Sequence, residues 1–456
     1  MCDINAIIQV SKLENSRKQA AMQAITALLS SDCQPCFSSF WKNLADGKEP
    51  SSLNMTSPKI HTWIHNQEAF QEPGSLSTLT NVQHIIQIHK TILSPRQRLI
   101  SPTDLSLLLV TVTWGALFDT DSNNSAKAAL ADAVEEVTKL LLGHTDSVDK
   151  FLALVATVSA EFRWGKRLCL AERINQKEMH TLIVGCAGTA SALKLHMKSV
   201  VRACCFDREQ AAQVDQAMRI LYCIEKSHTL RWQTFPLVSK EALPELDVRD
   251  DPTFEKDTCA VSVELLHLRM HYAHICLRIV ELRRATDESA PDFFIDKIAE
   301  LETALDDWHA SIARNPFILL VEESIARRIK HHAFCLYYEA LLHLVSICSL
   351  NQRKFLHSPR QEWEVIRQRS IREVILSCYK ISSDDLLQDQ NFIFTNVLAF
   401  CLLAQDSLLS QDIERKRENE TLLGISSGFF ARIRLLYPKS PIFEQTSSLL
   451  SIINHG

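Results

Sequence analysis

Ten glycines in 456 residues, about 2% where an average chain carries about 7%, limit this chain more than any other feature. Glycine takes a positive φ without steric cost, and tight hairpins, phosphate-cradling loops and nucleophile elbows all draw on that freedom. Fourteen prolines do not replace it. A chain so poor in turn residues is expected to be all-α. The hydrophobic share of 46% and the charged share of 23% are those of a chain that buries a core.

Charge narrows the field further. Lysine and arginine number 49 and aspartate and glutamate 54, a net of −5, without the basic excess of a compact nucleic-acid-binding domain. The basic runs Arg327-Arg328-Lys330 and Arg415-Lys416-Arg417 are short, are flanked by acids and read as solvated faces. The apolar stretch Leu105 to Phe118, interrupted by Ser106, Thr111 and Thr113, is shorter than the roughly 20 residues of a membrane span. Met1-Cys2-Asp3-Ile4-Asn5 has no basic region leading into an apolar run, so an intracellular chain without membrane association is expected. Cys186, Cys276, Cys335, Cys348, Cys378 and Cys401, six of the fourteen cysteines, fall in apolar helical patterns and read as buried free thiols.

The expected organisation is an N-terminal helix (Asn5 to Leu29) and flexible linker over 1–81, then a single large multi-helix domain over 82–456. Several helix ends are written in the sequence. Ser125 and Ser147 are expected caps, with Gly143 and Gly165 as stops. Asp207 with Gln210 makes a capping box, and Ser358-Pro359 with Gln361 resembles one. Asn315-Pro316 ends a helix carrying Leu301, Leu305 and Trp308. Val261 to Arg284 and Leu319 to Ser349 are apolar around much of their circumference, which places them inside several layers.

Four constellations invite a chemical reading, and each has a plainer one. Cys33 and Cys36 have the gap of a zinc half-site, but His61 and His65 stand too far on for a finger. His267, His271 and His274 share a helix face with Glu264, which suits a metal but equally a polar stripe running on to Arg278 and Glu281. Asp119, Asp121 and Asn123 start like a calcium loop, yet Asn124 and Leu130 stand where glycine and glutamate belong. Asp384, Asp385 and Asp389 resemble the aspartate-rich metal motif of all-α terpene cyclases, with Gln388 at the third aspartate's place. No Gly-x-Ser-x-Gly, phosphate loop or dinucleotide fingerprint occurs; Gly185 and Gly188 lie in a helical pattern. No catalytic residue, cofactor or metal site is assigned on these grounds.

The stretch Tyr222-Cys223-Ile224-Glu225-Lys226-Ser227, with Leu230-Arg231, Pro236-Leu237-Val238 and the acids Glu245, Asp247 and Asp250, is different. It resembles the middle homology region, the regulatory domain of fungal zinc-cluster transcription factors. There an aromatic-rich helix ends in Tyr-x-x-Glu/Asp-Lys/Arg, followed by a turn, a segment aimed inward and another helix. The likeness extends over about residues 90 to 425, through Leu301–Trp308, Tyr337-Tyr338, Leu341, His343 and Leu398–Leu409. Asp215, Gln216 and Arg219 replace the family's paired arginines and tryptophan, and Gln233-Thr234-Phe235 replaces its Gly-Arg-Pro turn. The six-cysteine zinc cluster has no counterpart in this sequence.

The resemblance implies a regulatory domain without the usual DNA-reading module. On that footing the chain is a transcription-regulator-like protein of the nucleus, or of the nucleus and cytoplasm, controlling a specialised-metabolism gene set. Its partners would be other regulators or a DNA-binding protein; a small-molecule effector and a homodimer fit the same reading. Tyr222, Glu225, Lys226 and Ser227 are the family-motif residues and are expected to be architectural, with the Tyr222 hydroxyl satisfied and the charges near a helix end. The alternative is a terpene-cyclase-like enzyme using Asp384, Asp385 and Asp389.

Overall fold

Helix caps come from local chemistry, and three of the expected ones form where the sequence places them, whereas Ser125 lies inside a helix that already begins at Asn124. The computed structural model describes residues 62–64, 76–93, 101–118, 124–160, 176–243, 257–285, 291–350, 360–383, 386, 391–436 and 442–454. Asp207 Oδ1 accepts from Gln210 N at 2.8 Å, and Gln210 Oε1 accepts from Phe206 N at 2.9 Å. Ser147 Oγ accepts from Lys150 N at 3.1 Å. Asn315 Oδ1 accepts from Phe317 N at 3.0 Å, directly before Pro316 at the first helical position. Ser358, Pro359 and Gly165 lie outside the described residues.

Fifteen α-helices and no strand occur among the described residues. They are α1 (Val82–Leu93), α2 (Pro102–Phe118), α3 (Asn124–Gly143), α4 (Val148–Ala160), α5 (Gln176–Ala192), α6 (Lys198–Cys204) and α7 (Arg208–Trp232). Then follow α8 (Asp257–Ala285), α9 (Pro291–Arg314), α10 (Pro316–Leu320), α11 (Glu323–Leu350), α12 (Arg360–Lys380), α13 (Asn391–Leu409), α14 (Ile413–Leu436) and α15 (Ile442–Asn454). Short 3-10 turns stand at Leu76–Thr78 and Lys240–Ala242. The all-α, multi-helix domain is thus the observed fold.

The core divides into three apolar clusters along the chain. The first holds residues of 63–224 with Val238 and Ala273, among them Trp114, Phe151 and Tyr222. The second lies among α8, α9 and α11, around Tyr272, Leu305 and Trp308. The third gathers α12 to α15 around Phe392, Phe400, Phe429 and Phe430. Helix α11 serves two of them: Leu336, Ala340 and Leu344 face the second, Cys335 and Leu342 the third. That is the many-sided apolar pattern at work. The helix expected from Leu319 is in fact two, because Val321 adopts an extended conformation at the end of α10. In α13 the 18 residues Phe392–Leu409 are long and apolar enough to cross a membrane, but 89% of them are buried inside the protein. They form a core helix, longer than the Leu105–Phe118 run.

Some residues ahead of the expected boundary at 82 pack against the core. Trp63, Ile64, Leu76 and Leu79 are all buried in the first cluster, so these positions are packed rather than linking. Trp63 approaches closely at Gly115 in mid-α2: a Cβ there would stand 2.2 Å from Trp63 O. Gly115→Ala is expected to cost about 1–3 kcal/mol by overpacking. Amide exchange should quicken at 62–64; an unchanged urea midpoint with unchanged exchange would rule the contact out. The expected helix from Asn5 to Leu29 lies outside the described residues.

Candidate functional site

The motif residues sit on α7, which runs on to Trp232, so Glu225 and Lys226 lie about two turns before its end rather than at it. There Gln233 takes a left-handed conformation (φ 56°, ψ 36°) and turns the chain back along the helix. Both charged side chains are sealed, each residue 1% exposed. Removing an ion from water costs several kcal/mol, so such charges persist only when paired and hydrogen-bonded. They are. Lys226 Nζ stands 2.6 Å from Glu225 Oε2 and donates to Val238 O at 2.5 Å. Glu225 Oε1 accepts from Thr229 Oγ1 at 2.8 Å and from Leu237 N at 3.0 Å. One carboxylate and one ammonium thus hold both backbone polarities of the segment that follows the turn.

Tyr222 lies under the ammonium, its ring centroid 5.0 Å from Lys226 Nζ, within range of a cation–π contact. Burial pushes its phenol up, above the ordinary tyrosine range. Its hydroxyl has no hydrogen-bond partner among the described residues, contrary to the expectation that it would be satisfied. The phenol lies against the apolar core, where only the ring's packing is served. Ser227 Oγ donates back to Cys223 O at 3.0 Å, a local bond within the helix.

One turn on, Arg231 makes a long-range tie. Its Nε and Nη2 meet Glu339 Oε1 and Oε2 of α11, each at 2.7 Å. Its guanidinium carbon stands 4.2 Å from the Phe394 ring centroid in α13. A bidentate fork over an aromatic face is geometry that lysine could not reproduce. Nearby, Tyr272 Oη donates to Leu336 O at 2.9 Å and Trp308 Nε1 donates to Leu268 O at 2.8 Å. With these charged groups sealed and mutually satisfied, this constellation holds helices together. It offers no group that a dissolved substrate could reach.

A second buried network was not anticipated. Asp406, in the apolar helix α13, receives Arg415 Nη2 at 2.6 Å on Oδ1. Its Oδ2 accepts Arg415 Nε at 2.8 Å, Asn419 Nδ2 at 2.8 Å and Gln368 Nε2 at 2.9 Å. Arg367 Nη1 adds a contact at 3.4 Å, and Glu364 also pairs with Arg415. Burial alone would push the Asp406 carboxyl up. The Arg415 hydrogen bond, the Arg367 charge and the Asn419 bond outweigh it, so the carboxyl is held below the ordinary aspartate range. Arg415 therefore does not belong to a freely solvated basic face. The available signal was Asp406 itself, a lone acid within an 18-residue apolar run.

The remaining candidates resolve as follows. His267 and His271 stand 6.1 Å apart by ring centroid, while Glu264 is engaged by Asn315 Nδ2 at 3.0 Å. Burial first, and then Lys240, Arg278 and His271, lower the His274 pKa. No three His, Cys, Asp or Glu side chains among the described residues converge as a metal-binding group. Cys33, Cys36, His61, His65, Asp119, Asp121, Asn123, Asp384, Asp385 and Asp389 lie outside the described residues.

Over 351 residues, the chain is 38% identical to AM-toxin biosynthesis protein 12 of Alternaria alternata, spanning 77% of this chain and all of that relative. The chain belongs to that family. AM-toxin biosynthesis protein 12-2 of the same organism is 32% identical over 455 residues, which span 100% of this chain and 67% of that relative. The matched length of the second family member takes in the whole span from α1 to α15. No family model matches the chain. No solved structure matches it either.

Proposed function

We propose that the chain is a transcription-regulator-like protein that controls a fungal specialised-metabolism gene set from the nucleus. It acts through protein contacts or a bound effector, with DNA read by a partner. The observation that carries this reading is the clamp built by Glu225 and Lys226. The residues through which the sequence resembles a regulatory domain are those that pin the segment Leu237-Val238 to α7. The resemblance thus rests on groups with a defined structural task. The relatives' names, those of toxin biosynthesis proteins, support the gene-set part of the reading. Sealed, mutually paired charges also fit regulation better than turnover.

Transcript profiling of a deletion strain, with a fluorescently tagged copy for localisation, tests the proposal. A coordinated fall of at least tenfold in a set of biosynthetic transcripts, with the tagged copy in the nucleus, is the expected result. Unchanged transcripts with loss of one metabolite would overturn it. So would magnesium-dependent turnover of a prenyl diphosphate that Asp385→Ala abolishes, which would favour the cyclase alternative.

A further inference from the structure

Six of the eight free cysteines described in the structure are buried: Cys186, Cys223, Cys276, Cys335, Cys378 and Cys401. Burial pushes the thiols of Cys223, Cys378 and Cys401 up to about 12, which leaves them protonated and inert. The other two, exposed Cys204 and partly exposed Cys205, are adjacent in sequence. Their backbone is held. Cys205 N donates to Val201 O at 3.0 Å, closing α6, and Phe206 N donates to Gln210 Oε1 at 2.9 Å, tying the next residue to α7. Gln210 Nε2 in turn donates to Asp149 Oδ1 of α4 at 3.0 Å. Two neighbouring thiols therefore stand on a fixed turn at the surface.

We propose that Cys204 and Cys205 form a vicinal dithiol site for a soft trivalent centre of the arsenical class, gripped by both sulfurs at once. Two features select this class. Adjacent Cα atoms are about 3.8 Å apart, whereas a disulfide wants roughly 4.4–6.8 Å, so direct oxidation to an internal disulfide is strained. A larger atom bridging the two sulfurs relieves that restriction. The surroundings also retain protons: burial first, then Cys204, Asp207, Asp215 and Asp149, raise the Cys205 pKa. A divalent metal must expel a proton from each thiol on binding. An organoarsenic oxide need not. Its As=O bond and two S–H bonds are exchanged for two As–S bonds and one water, with no change in oxidation state. The site stands on the thiols alone and does not depend on the proposed regulatory role.

The probe is phenylarsine oxide, read by intact mass on the folded full-length chain and by peptide mapping after proteolysis. Cys33 and Cys36 make a second close pair in the sequence, so a C33S/C36S chain is run in parallel. The expected result is one arsenic adduct mapped to the peptide holding Cys204 and Cys205, retained in C33S/C36S. Single Cys204→Ser and Cys205→Ser chains should each weaken its binding at least a hundredfold. Circular dichroism of the serine variants confirms that they are folded. An adduct that maps elsewhere, or that persists undiminished in either variant, overturns the proposal. So does the absence of any adduct on the folded chain.

Discussion

Glu339→Ala is expected to destabilise the protein by about 3–5 kcal/mol, measured by urea unfolding at neutral pH. The substitution leaves Arg231, whose side chain is only 4% exposed, with its guanidinium buried and its two 2.7 Å acceptors gone. Loss of one member of such a pair costs far more than loss of both. Arg231→Met combined with Glu339→Leu should therefore recover most of the stability, because nothing charged is then stranded and the volume is kept. Equal losses in the single and double variants would show that the pair is not the tie described here. The same logic extends to Lys226→Met, which strands Glu225 and frees Val238 O, although Leu237 N and Thr229 continue to serve the carboxylate.

Asp406→Ala should produce a loss of similar size, about 3–5 kcal/mol, and should also change how stability depends on pH. The Asp406 pKa is lowered in the folded protein. Its contribution is therefore fully present above the unfolded-state pKa of about 3.9, and is lost as pH falls through the lower folded value. Urea midpoints measured from pH 6 downwards should fall less steeply in the variant than in the parent below about pH 4. Parallel curves would assign the acid sensitivity to other carboxylates. Arg415→Met is expected to cost less than Asp406→Ala. Arg367 remains to face the carboxylate, and Arg415 is itself 30% exposed.

Features set by neighbours along the chain were legible before the fold was seen. Glycine scarcity and apolar spacing specify helices, and Asp207, Ser147 and Asn315 cap them by bonding within three residues. What could not be read was the identity of distant partners. Arg231 and Glu339 are 108 positions apart, and nothing local to either distinguishes a buried fork from a solvated charge. Arg415 is a further case, since its acids lie on α12 and α13 rather than beside it in sequence. Trp63 and Ile64 appeared to belong to a linker because polar, proline-bearing sequence surrounds them. Both pack in the first cluster, and the absent side chain of Gly115, on another helix, leaves room for the Trp63 backbone. The position of Glu225 and Lys226 was not legible, because a helix end inferred from a family pattern gave no hint that α7 continues to Trp232. Lone acids within apolar runs, Glu339 and Asp406 here, are the local signal of such buried pairs.

Helix α11 has a mechanical corollary. Residues one or two positions apart on it, Cys335 beside Leu336 and Leu342 before Leu344, are committed to opposite neighbours. Turning the rod about its long axis would loosen one contact surface while crowding the other, and Glu339 would carry α7 along through Arg231. The rod is thereby braced from both sides, and a substitution that alters its seat in one cluster bears on its fit to the other.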